Sequence, residues 1–189
     1  YVHAKSKGKI GYIHIPNMSE HGLSEFYKSF LLEQDKERLI VDVRFNEGGY
    51  VSRLILKTLA QKHLGRGTVK WSKVILPYPA QTSVKKMVCI TNGLTGSDGD
   101  LFSYAFKKLK LGKLVGTRTW GGVIGIWPRC DMVDGTIVTQ PEYNFEFDDP
   151  TGIVENKGVQ PDVYCENSPD DWKKGIDRQL EVAFKELTN

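Results

Sequence analysis

The sequence is poor in cysteine, lacks long apolar runs and carries little net charge. No run in its 189 residues approaches the length of about 20 that a membrane-spanning helix needs. Cys89, Cys130 and Cys165 have no short spacing and are odd in number, which argues against a metal site or a disulfide framework. The charge of +3 comes without an aromatic-plus-basic motif, which argues against nucleic-acid binding. We therefore expect no nucleic acid, membrane, metal or cofactor, and reduced thiols predict a cytoplasmic location.

What is present is ordinary for a soluble globular domain. Charged residues make up 26% and hydrophobic residues 40% of the chain. A chain of this length is expected to form one domain and to bury roughly 70% of the surface that it exposes when unfolded. The chain starts at Tyr1 and not at methionine, so further residues are expected upstream.

Hydrophobic periodicity predicts an α/β fold. Strand and helix patterns alternate three times, which predicts parallel strands joined by right-handed crossovers. The predicted strands are 9–15, 38–44, 87–90 and 113–115, and the predicted helices are 23–33, 51–64 and 101–111. A linker containing Pro77 and Pro79 precedes the third strand. Further strands are predicted at 136–140 and 143–147, in a mixed or antiparallel region, and an amphipathic helix is predicted over 170–187 with Trp172 on its apolar face.

The most informative segment is the turn around Ser97, between the strand at 87–90 and the helix that follows. Hydrolases place a nucleophile at such a glycine-flanked turn, because the hydroxyl stands clear and the next amide opens a helix. The pattern G-x-S-x-G fails here, since Thr95 stands where it requires the first glycine. The alternative is that Ser97 is only the N-cap of the helix.

A second glycine cluster, Gly48 and Gly49, follows the second predicted strand. The carboxyl ends of parallel strands share one edge of a sheet, where ligands bind. The Gly48 amide could therefore face the Asp98 amide, and two convergent amides form an oxyanion hole. The alternative is a turn that needs glycine only for its positive φ.

Five segments in this order resemble one family: residues 11–16, 42–49, 91–100, 116–122 and 154–159. The chain, to about residue 164, resembles the C-terminal catalytic domain of tricorn-type members of the C-terminal-processing (tail-specific) serine peptidase family. The resemblance implies a βαβ superhelix similar to ClpP and crotonase, with a mixed sheet. It also implies hydrolysis of unfolded peptides through an acyl-enzyme, and a homo-oligomer, specifically a hexamer.

The resemblance assigns roles residue by residue. Ser97 matches the nucleophile, the amides of Asp98 and Gly48 match the oxyanion donors, and Glu155 matches the acidic member of the catalytic set. Glu155 would orient the base through a hydrogen-bond chain. From the residues alone, Glu155 also fits a surface glutamate beside a glycine-containing turn.

The sequence departs from the family where the general base is concerned. Many tail-specific peptidases have a catalytic lysine at the position that Gly122 occupies here. The tricorn-type arrangement takes a histidine from a separate N-terminal domain, and no segment here matches it. His14 is expected to be a packed or half-exposed strand residue, His21 and His63 solvated, and His3 part of a tail. Residues 1–189 are therefore interpreted as one nucleophile-bearing domain of a longer multidomain enzyme.

Other acidic residues have simpler expected roles. Asp98 and Asp100 fall in the first turn after Ser97, where carboxylates interact favourably with a helix N-terminus. Asp42 and Arg44 could form a structural ion pair. The loop 148–152 is expected to line a substrate groove, with a calcium loop as the alternative.

Two other functions use the same scaffold. One is a non-catalytic ligand-binding module, since the resemblance extends to retinoid-binding relatives. The other is a crotonase-like acyl-CoA enzyme, whose oxyanion hole also uses two amides but which needs no serine nucleophile. Covalent labelling of serine separates the peptidase from both.

Overall fold

The computed structural model describes residues 1–80, 86–149 and 152–188. The elements in chain order are α1 (Val2–Ser6), β1 (Ile10–His14), α2 (Glu20–Glu33), β2 (Arg38–Asp42), α3 (Ser52–Leu59), β3 (Gly65–Thr68), β4 (Ile75–Tyr78), β5 (Lys86–Thr91), α4 (Asp98–Lys108), β6 (Gly112–Gly116), β7 (Gly125–Asp131), β8 (Ile137–Tyr143), β9 (Val163–Tyr164), α5 (Pro169–Lys173) and α6 (Arg178–Thr188). None of the helices in these ranges is long and apolar enough to cross a membrane.

The core of the fold is a five-stranded sheet in the order β1-β2-β5-β6-β9. All neighbouring pairs in it run parallel. Strand β2 lies between β1 and β5, and its Leu39, Ile40 and Val41 are fully buried. A strand that is buried on both faces has apolar side chains at successive positions, which explains the continuous apolar run. The predicted α/β class is therefore confirmed, and so is the parallel pairing of the repeated strand-helix units.

Each face of the sheet is covered by helices. Phe26 and Phe30 of α2 and Phe102 and Phe106 of α4 are fully buried in the larger of two apolar clusters. On the opposite face, α1 and α6 contribute to a smaller cluster that includes Phe184. Helix α1 was not predicted, because its five residues carry no amphipathic period.

Antiparallel pairing occurs in two separate two-stranded ribbons, β3–β4 and β7–β8. Pro77, which was predicted to lie in a linker, lies in β4. The predicted strand at 136–140 corresponds to β8, but the strand predicted at 143–147 ends at Tyr143. The strand β7 was missed. Both ribbons are largely exposed, so neither shows the alternating burial that the prediction relied on.

Two predicted helices are wrong in extent. The helix predicted over 51–64 ends at Leu59. The helix predicted over 170–187 is two helices, α5 and α6, which are separated by a turn with Gly175 at φ +66°. The break rotates Trp172 away from the core, and 61% of its surface is exposed.

The predicted ion pair between Asp42 and Arg44 is confirmed, and it extends into α6. Arg44 Nη2 lies 2.6 Å from Asp42 Oδ2 and 2.8 Å from Asp177 Oδ2. Arg44 also donates to the Gln179 side chain, and the Tyr12 hydroxyl donates to Asp42 at 2.7 Å. Burial and the neighbouring Asp42 raise the pKa of Tyr12. We call Asp42, Arg44 and Asp177 the ion cluster; it fastens the C-terminal segment to the sheet.

Candidate active site

Ser97 lies between β5 and α4, in a segment of residues 95–100 that we call the serine turn. Its φ is 55° and its ψ is −121°, a strained combination for a residue with a side chain. An N-cap residue has an extended backbone and accepts a bond through its side chain. Ser97 occupies the N-cap position of α4, and its carbonyl accepts from the Leu101 amide at 3.1 Å, but its backbone is not extended and its side chain caps no helix amide. Within the described ranges, no group is hydrogen-bonded to the half-buried Ser97 hydroxyl.

Gly48 approaches the serine turn from the end of β2. A methyl group on Gly48 would lie 2.5 Å from Ser97 Cβ and 3.0 Å from the Asp98 nitrogen. The φ of Gly48 is +97°, so the position needs glycine both for its turn and for this close approach. The structure thus brings Gly48, Ser97 and Asp98 together.

The Gly48 amide already donates a hydrogen bond within the protein. It donates to Asn46 Oδ1 at 3.0 Å, while the Asn46 Nδ2 donates to the Ile15 carbonyl at 2.8 Å. The Asn46 carbonyl in turn accepts from the Gly96 amide at 2.8 Å. The fully buried Asn46 therefore joins the ends of β1 and β2 to the serine turn. The sequence analysis missed this role; the available signal was an asparagine two residues before a glycine, which is typical of a local side-chain-to-backbone turn.

The backbone amide and the carboxylate of Asp98 serve different partners. The amide donates no hydrogen bond within the described ranges. The carboxylate accepts from the Ser52 nitrogen at 2.9 Å and from the Ser52 hydroxyl at 2.5 Å. Asp98 therefore lies in the first turn of α4, as predicted, and its carboxylate also caps the neighbouring helix α3.

Glu155 lies in the loop before β9, and two backbone amides hold one of its oxygens. The Val123 and Ile124 nitrogens donate to Glu155 Oε2 at 2.6 Å and 3.0 Å. The side chain is half-buried. These contacts do not fit an unattached surface glutamate.

Ser97 lines a cavity of about 400 Å³ with mostly apolar walls. The walls include Tyr50, Arg53, Leu56, Leu101, Val123, Tyr143, Phe145 and Phe147. A second cavity contains Glu155 and shares Phe145 and Phe147 with the first. The serine and the glutamate therefore lie on adjoining cavities.

None of the four histidines lines the Ser97 cavity. His14 lies in β1 but is exposed, where a packed or half-exposed residue was expected. His21 and His63 are exposed as predicted. His3 is not in a free tail, since it lies in α1 and its Nε2 is 2.8 Å from Glu33 Oε1.

The loop predicted at 148–152 lies partly outside the described residues, because 150 and 151 are not described. Asp149 forms an ion pair with Lys108. In the described ranges, no group of three or more histidine, cysteine, aspartate or glutamate side chains is placed to hold a metal ion.

Comparison with known proteins supplies the context for this geometry. Residues 9–165 match the model of peptidase family S41. The chain is 52% identical over 192 residues to the tricorn protease of Thermoplasma acidophilum, and it is 51% identical over 185 residues to a tricorn protease homolog of Saccharolobus solfataricus. The matches cover 99% and 98% of this chain but 17% of each relative.

A solved structure gives the same result in three dimensions. The crystal structure of the tricorn protease superposes with a TM-score of 0.95 at 52% identity, over 99% of this chain and 18% of that chain. The chain thus spans about a sixth of the length of the curated relatives named above.

Proposed function

Because the chain belongs to peptidase family S41 and is a serine peptidase domain, we propose that Ser97 is its nucleophile and that it hydrolyses unfolded peptides through an acyl-enzyme. The observation that carries the assignment is the strained Ser97 backbone, which holds an unengaged hydroxyl beside the open Asp98 amide. Strain of this kind persists only where the surroundings enforce it, and it concentrates at functional sites.

In the proposed reaction, the Ser97 oxygen attacks the peptide carbonyl and a base takes its proton. The carbonyl oxygen becomes an oxyanion, and the Asp98 amide donates to it. The Gly48 amide is the second donor, and it shares its hydrogen between Asn46 Oδ1 and the oxyanion. The leaving amine departs with a proton, and water then releases the acyl group by the reverse sequence.

The base is proposed to come from outside residues 1–189. The position of the histidines supports this, since none of them lines the cavity of Ser97. The resemblance to tricorn-type peptidases suggests a histidine from another domain of a longer chain. Glu155 is proposed to orient it, which is supported by two amides that fix Oε2 and by an Oε1 that has no partner within the described ranges.

The whole enzyme is proposed to be a cytoplasmic homo-oligomer, specifically a hexamer. The hexamer rests on the resemblance to tricorn-type peptidases. The location is supported by the buried thiols of Cys89 and Cys165, which are free and suit a reducing compartment.

The test is hydrolysis of fluorogenic peptides with basic or apolar P1 residues. The full-length protein that carries this domain is compared with its Ser97→Ala variant and with residues 1–189 alone. Ser103→Ala is the matched control, because Ser103 is a buried serine of α4 whose hydroxyl donates only to the Gly99 carbonyl. Ser97→Ala is expected to abolish activity, the isolated domain to be nearly inert and Ser103→Ala to stay active.

Two results would contradict the proposal. Activity that survives Ser97→Ala would remove Ser97 as the nucleophile. A full-length protein that cleaves no peptide but binds a ligand would favour the non-catalytic module. Labelling of Ser97 by a fluorophosphonate, absent in Ser97→Ala, checks the acyl-enzyme chemistry independently of the peptide chosen.

A further inference from the structure

Asp100 is a buried carboxylate without a cation. It lies in the first turn of α4, three residues after Ser97, and none of its surface is exposed. Its Oδ1 accepts from the Gly121 amide at 2.9 Å, whereas its Oδ2 is buried without a hydrogen-bond partner. No ion pair in the described ranges includes it. An unpaired buried carboxylate is costly, so its presence calls for a reason other than stability.

The serine turn supplies one side of the surroundings of this carboxylate. Burial raises the pKa of Asp100, and the nearby Thr119 side chain and Ser97, Gly121 and Gly122 amides offset only part of that rise. The Ser97 amide belongs to the residue with φ 55° and ψ −121°. The carboxylate therefore faces a strained peptide unit that it can hold in place.

On its other side, the Asp100 carboxylate faces the loop that holds Glu155. The Thr119 hydroxyl oxygen accepts from the Val159 amide at 2.7 Å, and the Gly121 carbonyl accepts from the Asn156 amide at 2.6 Å. Farther along this loop, two amides hold Glu155 itself. A continuous chain of hydrogen bonds and covalent backbone thus runs from Ser97 through Asp100 and Gly121 to the segment around Glu155.

We propose that Asp100 is a positioning residue for the proposed reaction. It holds Ser97 in its strained conformation and fixes the loop that holds Glu155. The inference rests on the proposed function, because it needs Ser97 to be the nucleophile. Asp100 touches no substrate in this role; it acts through the backbone on both sides of the site. A role in stability alone would instead predict that activity changes only as the folded fraction changes.

The test uses the full-length protein with Asp100→Asn. Asparagine keeps the shape but removes the negative charge, so the Ser97 amide and the Thr119 hydroxyl lose the carboxylate that they face. A displacement of about 1 Å at a reacting group can cost about 100-fold in rate. We expect kcat to fall about 100-fold while KM stays within about threefold, and we expect fluorophosphonate labelling of Ser97 to slow in parallel.

Melting temperature separates positioning from stability. The raised pKa of Asp100 means that the charge opposes folding above that pKa, so Asp100→Asn is expected to melt no lower than the wild type. Ser103→Ala is the matched control, since it removes a buried hydrogen bond one turn farther along the same helix. The control is expected to melt lower but to keep its kcat within about threefold.

A second pair of variants decides the matter if Asp100→Asn does not fold. Thr119→Val removes the hydroxyl that faces Asp100, and Thr119→Ser retains it. We expect Thr119→Val to lose kcat and Thr119→Ser to keep it. Equal kcat values for the two variants would overturn the inference.

The remaining outcomes are distinct from a failure of the proposed function. If Ser97→Ala is inactive and Asp100→Asn keeps its kcat within about threefold, only the positioning role is overturned. If Asp100→Asn folds in part and its kcat per folded molecule equals that of the wild type, the positioning role is overturned too. If Ser97→Ala keeps its activity, the proposed function fails and the positioning role fails with it.

Discussion

The ion cluster and the serine turn both lie next to the end of β2, and they treat buried polar groups in opposite ways. In the ion cluster, the Arg44 guanidinium is shared between two carboxylates, and Tyr12 donates to one of them. In the serine turn, the Asp98 amide lacks an acceptor and Asp100 keeps an unpartnered oxygen. Native structures leave few buried polar groups unsatisfied, so their concentration in the serine turn is informative.

This difference distinguishes the ion cluster, which stabilises the fold, from the serine turn, to which we assign the proposed chemistry. The ion cluster gains by being complete, because each of its charges has a partner in the folded chain. In the proposed reaction, the serine turn gains by being incomplete, because an oxyanion hole must keep a donor free for the transition state. The strained backbone of Ser97 can persist there because the sheet and its helices enforce it.

The largest expected effect is on stability, when the ion cluster is broken. Arg44→Met leaves Asp42 and Asp177 without their cation, and breaking a buried pair from one side costs about 3–5 kcal/mol. Urea unfolding measures the loss. Arg66→Met on the exposed strand β3 is the control, with an expected change within about 0.5 kcal/mol. Similar losses of unfolding free energy in the two variants would mean that the ion cluster contributes no more to stability than an exposed arginine does.

The second expected effect is on activity, when the serine turn is crowded. Gly48→Ala would press a methyl group against Ser97 Cβ, and we expect kcat/KM to fall about 100-fold. Gly135→Ala is the matched control, because Gly135 also has a positive φ, +81°, but open space where a Cβ would point. Both variants carry the strain of a left-handed residue, so only crowding separates them. Equal activity in the two variants would contradict the proposed geometry.

The smallest expected effect is in the pH dependence of stability. Burial alone would raise the pKa of Asp177, but the hydrogen bonds from Arg44, the Leu180 amide and Asn167, together with the Arg44 charge, more than offset this, and the pKa is lowered. A lowered pKa stabilises the fold above the unfolded-state value and ceases to do so as the pH falls through the folded-state value. Asp177→Asn should therefore be less stable than the wild type at pH 7, and the gap should close in acid. A gap that is constant from pH 7 to pH 3 would exclude this linkage.

Sequence reasoning succeeded where the signal is local. The run at Leu39, Ile40 and Val41 predicts a buried parallel strand, and the glycines around Ser97 predict a turn. The prediction that Gly48 lies beside Ser97 needed one further rule, that the ends of parallel strands share an edge. The close approach of these residues in the structure agrees with it, while their catalytic roles stay predictions.

The failures share a different cause, because they involve partners far along the chain. The Asp98 carboxylate caps a helix that begins 46 residues earlier, and the Asp100 carboxylate accepts from an amide 21 residues later. Aspartates in a first helical turn look alike in sequence, whichever neighbour they serve. The apolar period of the C-terminal segment likewise hides the break at Gly175, which a single positive φ produces.

Strand β9 gives the site a vulnerability of its own. It is two residues long and pairs with β6 through Val115–Val163 and Gly116–Tyr164, with one flanking backbone bond on each side, and the loop that carries Glu155 precedes it. The shortest strand of the sheet thus follows the loop that holds Glu155. Fluctuations that detach this edge would displace the loop that holds Glu155 while β1, β2, β5 and β6 stay paired. Amide exchange at Cys165, whose nitrogen donates to the Gly116 carbonyl at 2.9 Å, would therefore report the opening of this edge and not the unfolding of the whole domain.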